Sequence, residues 1–197
     1  FWNMALDEVL LSSAHEGLTL RLYSWNRPTL TLGYFQKSGE FDLDRMEADG
    51  FAVTRRMTGG GAILHDKELT YSVHLPLRFA ELPEDVMDSY LYLLKPIRES
   101  LGGFGVESQL GCRDEATDRE SICFSRKHCT DLLVDGKKLV GSAQRRTKNR
   151  LAQHGSILLE PHAIMPETAW LNQRAERVVT FSELSDQLVA RFSELFK

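Results

Sequence analysis

The period of apolar and polar positions changes several times along the 197 residues. Residues 3–17 (NMALDEVLLSSAHEG) place Met4, Leu6, Val9 and Leu10 at helical spacing, with Gly17 ending the helix. Residues 18–25 (LTLRLYSW) and 29–35 (TLTLGYF) alternate or are rich in β-formers, and Asn26-Arg27-Pro28 separates them. A short helix over 42–50 stops at Gly50. A strand over 51–57 (FAVTRRM) runs into glycines, and another follows over 68–77 (ELTYSVHLPL). The longest helical pattern spans 83–103, with Pro96 as a kink. Asp135-Gly136 suits the two-residue type I′ turn of a hairpin over 131–145, and 152–160 (AQHGSILLE) reads as a further strand. The last helix covers 180–196, opened by a Thr180/Glu183 capping box. Hairpins with helices mostly between sets of them predict an α+β fold with a mixed, largely antiparallel central sheet flanked by helices.

Repeats, low-complexity tracts and dividing linkers are absent from the sequence, so residues 1–197 read as one catalytic-size domain. Residues 111–127 are polar and charged and read as a long loop. With 24 basic and 28 acidic residues the net charge is −4, which argues against a general nucleic-acid binder. No apolar run reaches membrane-spanning length. The three cysteines, Cys112, Cys123 and Cys129, are too few and too odd in number for a disulfide framework, so a reducing cytoplasm is expected.

Chemistry concentrates in two stretches. Residues 55–66 (RRMTGGGAILHD) set Arg55 and Arg56 before Gly59-Gly60-Gly61 and end near His65. Bare N–H groups and guanidinium forks suit an acidic or acyl ligand, although such a run also serves as a plain surface turn. In a strand only one of the two arginines can face a given side. No Gly-Lys-Ser/Thr follows, so this is not a P-loop. Residues 135–160 hold Lys138, the small patch Gly141-Ser142-Ala143, and His154; the lysine alone would be read as solvated. Cys123, His128 and Cys129 match no standard zinc spacing, so no metal site is expected.

Taken together, RRMTGGGAILHD, GKKLVGSAQRR, QHGSILL, NMALDEVLL and SWNRPTLTLGYFQ resemble the lipoate/biotin protein ligase superfamily. The likeness is to its lipoate ligase and octanoyltransferase branch and runs from about residue 3 to 160. It implies a mixed sheet with an acyl tunnel beside it. Arg56 and Gly59, Gly60 and Gly61 would line the site around the acyl carbonyl, with His65 at its edge. Lys138 would contact the carbonyl, and Gly141, Ser142, Ala143 and His154 would form the opposite wall. Cys123, thirteen residues before Gly136, resembles the nucleophile of the cysteine-dependent transferases, though Arg126-Lys127-His128-Cys129-Thr130 stands where those enzymes have a Pro-Ser-Trp-Tyr-like run. On that route a thioester donor, octanoyl-acyl carrier protein or an acylated protein, passes octanoyl or lipoyl through Cys123 to a lysine of a lipoyl carrier domain, without a cofactor. The alternatives are an ATP- and magnesium-dependent lipoate-protein ligase, whose bacterial forms usually carry a further C-terminal domain for which this chain leaves no room, or a non-catalytic acyl-binding module. Cys129 is the second candidate thiol. Arg145, Arg146, Lys148 and Arg150 form a basic run suited to steering an acidic carrier.

Overall fold

A computed structural model describes residues 1–111, 128–161 and 165–197. Six strands form an antiparallel sheet in the order β1-β5-β9-β8-β7-β6. They are β1 (Thr19–Tyr23), β5 (Glu68–Pro76), β6 (Gln109–Leu110), β7 (Leu132–Val134), β8 (Lys137–Arg146) and β9 (Arg150–Leu158). A smaller sheet sets β2 (Thr29–Leu32) between β3 (Ala52–Arg55), which runs parallel to it, and antiparallel β4 (Ile63–His65). The helices are α1 (Trp2–Ser12), α2 (Leu43–Ala48), α3 (Val86–Gly102), α4 (Leu171–Arg174) and α5 (Phe181–Leu195). The fold is therefore the expected α+β arrangement.

Several expected boundaries have visible physical causes. Asp135 and Gly136 both take positive φ, 50° and 72°, as a type I′ turn requires. Asp42 caps the short helix, and Gly50 leaves it at φ 88°. Thr180 and Glu183 form the reciprocal capping box. Pro96 lies inside α3, which is one unbroken helix from Val86 to Gly102.

The face of α1 differs from the expected one. Leu6 and Val9 are exposed, the buried residues are Met4, Asp7 and Leu11, and the helix ends at Ser12 rather than near Gly17. The reason lies in the sheet. β5 alternates polar Glu68, Thr70, Ser72 and His74 with apolar Leu69, Tyr71, Val73 and Leu75, a pattern that usually means one wet face. Here every residue of β5 is buried. The apolar row joins the main core, where Tyr71 packs beside Phe192 of α5. The polar row is roofed by α1, whose carboxylate at Asp7 bonds Ser72 and His74. Matching that polar row places Asp7, not Leu6 or Val9, against the sheet.

Candidate functional site

The polar row is the floor of the site. Asp7 is fully buried, and its Oδ1 accepts from Arg21, from Ser72 Oγ at 2.8 Å and from His74 at 3.2 Å. Its Oδ2 accepts from Tyr23 OH at 3.0 Å and faces His154 Nδ1 at 3.8 Å. Burial pushes the Asp7 carboxyl upward, but His154, His74 and Arg21 outweigh it and hold the carboxyl far below its usual range. Burial also lowers His154, against the opposing pull of Asp7. Across the network, His154 Nε2 lies 2.6 Å from Thr58 Oγ1, at the start of the glycine loop.

Arg56 organises that loop. It is 1% exposed, and its guanidinium donates to Thr31 O at 3.0 Å, Thr58 Oγ1 at 3.2 Å, Gly59 O at 2.7 Å and Gly61 O at 2.6 Å. Arg55 points the other way, as strand alternation requires, and gathers the carbonyls of Gly33, Tyr34 and Gln36. Both guanidinium groups thus bind backbone oxygens, where the sequence had suggested forks for an anionic ligand. Gly60 sits at φ 92°, and Gly33 lets the loop close. A Cβ on Gly33 would stand 1.9 Å from Gly60 O.

His65 forms a second buried cluster. Its Nδ1 lies 2.7 Å from Glu68 Oε1 and its Nε2 lies 2.9 Å from Thr31 Oγ1. Trp25 stacks on the ring at 4.3 Å. The same Glu68 oxygen accepts from Thr70 and Ser156.

A narrow pocket runs between these clusters. Arg56, His65, Ala143 and His154 line it, together with Met4, Tyr23, Ile63, Thr70, Gly155 and Ser156. The structure thus brings four of the sequence candidates to one cavity. Gly141 shares the Ala143 side of β8, whereas Ser142 points to the opposite face and bonds Tyr71 OH at 2.7 Å. Ser142 therefore belongs to the helix-side core and not to the pocket wall. Met4, Asp7, Tyr23 and Thr70 were missed by the sequence reading. The available signal was a lone carboxylate on an apolar helical stripe, opposite a strand with a wholly polar row.

Lys138 is not solvated. It is 4% exposed, and its Nζ lies 2.9 Å from Asp131 Oδ2. Burial raises the Asp131 carboxyl above its ordinary range, while Lys138 and the N–H of His128 pull it down. β8 carries one extra residue opposite the Leu132–Leu133 step, so Leu133 pairs with Lys138 while Leu132 pairs with Val140. Such a bulge resets which side a side chain takes. Cys129 is half-buried in the turn before Asp131. Cys123 and Cys112 lie outside the described residues.

In the basic run three arginines make contacts within the chain, while Lys148 is exposed. Arg145 stacks on Tyr34 and bonds Met57 O. Arg146 bonds Glu84 O, Asp85 O and Ser89 Oγ around the start of α3. Arg150 is buried.

The six-stranded antiparallel sheet buries a polar face, and the small pocket lies on that face beside the glycine loop. The lipoyl protein ligase A/B catalytic domain profile matches residues 1–192, and the chain belongs to that family. The octanoyltransferase LipM of Macrococcus caseolyticus is 41% identical over 169 residues, covering 80% of this chain and 61% of that protein. That of Staphylococcus aureus is 33% identical over 221 residues, covering all of this chain and 80% of that protein. This chain thus spans between about three-fifths and four-fifths of these curated relatives. Among solved structures, a T. acidophilum protein with bound lipoic acid superposes with a TM-score of 0.80 at 25% identity, covering 98% of this chain and 79% of that one. No helix of the described residues is long and apolar enough to cross a membrane.

Proposed function

We propose that the protein is an acyltransferase of protein lipoylation, working in the cytoplasm without ATP or a metal. The observation that carries this reading is the octanoyltransferase name shared by relatives 33–42% identical to the chain. The small pocket supports it by bringing together Arg56, His65, Ala143 and His154, four of the residues that the resemblance assigns to the acyl site. The Cys123 thiolate attacks the carbonyl of an octanoyl or lipoyl thioester, and the donor thiolate leaves and takes up a proton. The donor is octanoyl-acyl carrier protein or an acylated protein. The amine of a carrier-domain lysine then attacks the enzyme thioester. An amide forms, the Cys123 thiolate is released, and the amine's proton passes to solvent. The Lys138 ammonium stabilises the negative charge that builds on the carbonyl oxygen in both steps.

Intact mass spectrometry tests this reading. The protein and a lipoyl carrier domain are mixed with an octanoyl thioester in the absence of ATP. The expected result is a hydroxylamine-labile octanoyl adduct on the enzyme, absent in Cys123→Ala, and a stable adduct on the carrier. Carrier modification only with ATP, magnesium and free lipoate would make the protein a ligase. No modification under either condition would leave an acyl-binding module.

A further inference from the structure

Arg150 is a buried cation whose hydrogen bonding is incomplete. It stands at the start of β9 and is 4% exposed. Its backbone is pinned: the Thr147 N–H donates to Arg150 O at 2.8 Å, and the Arg150 N–H donates to Thr147 Oγ1 at 3.1 Å. The Leu77 N–H donates to Asn149 O at 2.8 Å and braces this turn against the end of β5. From that fixed point the guanidinium donates through Nη1 to His15 O. Nε and Nη2 find no partner among the described residues. Those two atoms send their N–H bonds the same way along one edge of the guanidinium, the fork that grips two oxygens of a carboxylate or phosphate. Burial draws the group below its ordinary range, and Glu16, the acid in the surrounding wall, pairs with Arg78 instead.

Arg150 lines a cavity of about 390 Å³ together with Ser13, His15, Arg78, Lys148 and Asn149. That volume falls within the range of small-molecule sites, about 300–1,000 Å³. The cavity shares no lining residue with the pocket between Arg56 and His154. We infer that it is a second ligand site, taking a small phosphate-bearing anion, with Arg150 gripping two phosphate oxygens along its open edge. A buried charged donor left unmet is costly, and an oxyanion there satisfies both N–H groups at once. A carboxylate fits the same fork, but the wall favours phosphate. Arg78, Lys148 and Arg150 outnumber Glu16, and a phosphate monoester carries about −1.5 to −2 at pH 7 where a carboxylate carries a single charge. Nε and Nη2 are covered, so the anion is admitted by displacement of the exposed, irregular residues 14–16, which supply His15 O. The inference stands apart from the acyl-transfer reading and uses none of its residues.

Titration of the nitrogen-15-labelled protein with inorganic phosphate at constant ionic strength tests it, read by NMR at the Arg150 Nε–H. The expected result is a shift of that signal that saturates with phosphate and is absent with chloride. Glycerol 3-phosphate, titrated in parallel, tells an organic phosphate from the free ion by which of the two binds more tightly. Calorimetry then compares variants. Arg150→Lys keeps the charge but loses the fork, and should weaken phosphate binding about 10- to 100-fold. Lys148→Ala, on the exposed turn, should weaken it by up to about fivefold. The wild-type titration and Lys148→Ala decide the matter even where Arg150→Lys does not fold. Saturation by acetate at the same concentrations would overturn the assignment to phosphate. An Arg150 signal that no anion moves, or unchanged phosphate affinity in Arg150→Lys, would overturn the site and leave Arg150 a structural residue hydrated from within.

Discussion

Replacing Gly33 with alanine tests how tightly the glycine loop is clamped. The added Cβ would lie 1.9 Å from Gly60 O, 3.0 Å from Gly60 C and 3.4 Å from Arg56 Nη2. Real contacts to carbonyl oxygen begin near 3 Å, so strand or loop must move by about 1 Å. Neither is free to move. The Tyr34 N–H bonds Thr58 O at 2.8 Å, the Arg56 N–H bonds Leu32 O at 3.0 Å, and Arg56 Nη2 holds Gly59 O and Gly61 O. Overpacking of this kind costs about 1–3 kcal/mol, which for a chain of this length lowers Tm by roughly 2–12 °C. The neighbouring glycines are internal controls. Gly59 has open space where a Cβ would go, so Gly59→Ala should stay within about 0.5 kcal/mol of wild type. Gly60, at φ 92°, should lose about 1–2 kcal/mol from backbone strain alone. Guanidinium unfolding curves would give all three values, with octanoyl transfer measured beside them. If Gly33→Ala proves as stable as wild type, or Gly59→Ala as damaging as Gly33→Ala, the clamp does not exist.

Acid should weaken the fold earlier than carboxylates alone would predict. His154 is depressed in the folded chain, so it binds fewer protons than in the unfolded one; its contribution is complete above the unfolded value of about 6.5 and declines below it. Asp7 is depressed too and adds its loss only below about 3.9, whereas Asp131, raised, acts in the opposite sense. Urea midpoints should begin to fall near pH 6.5, and His154→Gln should flatten the curve below about pH 6.5; equal slopes in both proteins would rule the histidine out. Arg146→Glu should cost about 1–3 kcal/mol of stability, because it strips hydrogen bonds from Glu84 O and Ser89 Oγ, while leaving the Michaelis constant for the carrier unchanged. A raised Michaelis constant at unchanged stability would return that arginine to the docking surface.

Local rules made much of the fold legible. Asp135-Gly136, the Thr180/Glu183 box and the Gly50 stop are short-range devices whose partners lie a few residues away. The face of α1 was not legible, because helical spacing counts apolar residues and Leu6 and Val9 are apolar. The value of Asp7 depends on Ser72, His74 and His154, which lie far along the chain. Likewise Arg56, His65, Ala143 and His154 were readable as candidates, but the glycine run did not show that Arg56 would spend its donors on loop carbonyls. The burial of Lys138 follows from a bulge and a distant turn, neither of which leaves a mark on hydropathy.

The roofing of the sheet's polar face by α1 also sets an order of events during synthesis. Asp7 is made well before His154, which follows about 150 residues later. At about 5–20 residues per second the gap is on the order of ten seconds. Until then Leu11 lacks Ala152, one of the two buried residues it clusters with, although Met57 is made earlier. The pocket is among the last parts to form, so an occupied pocket reports that the sheet beneath it is complete.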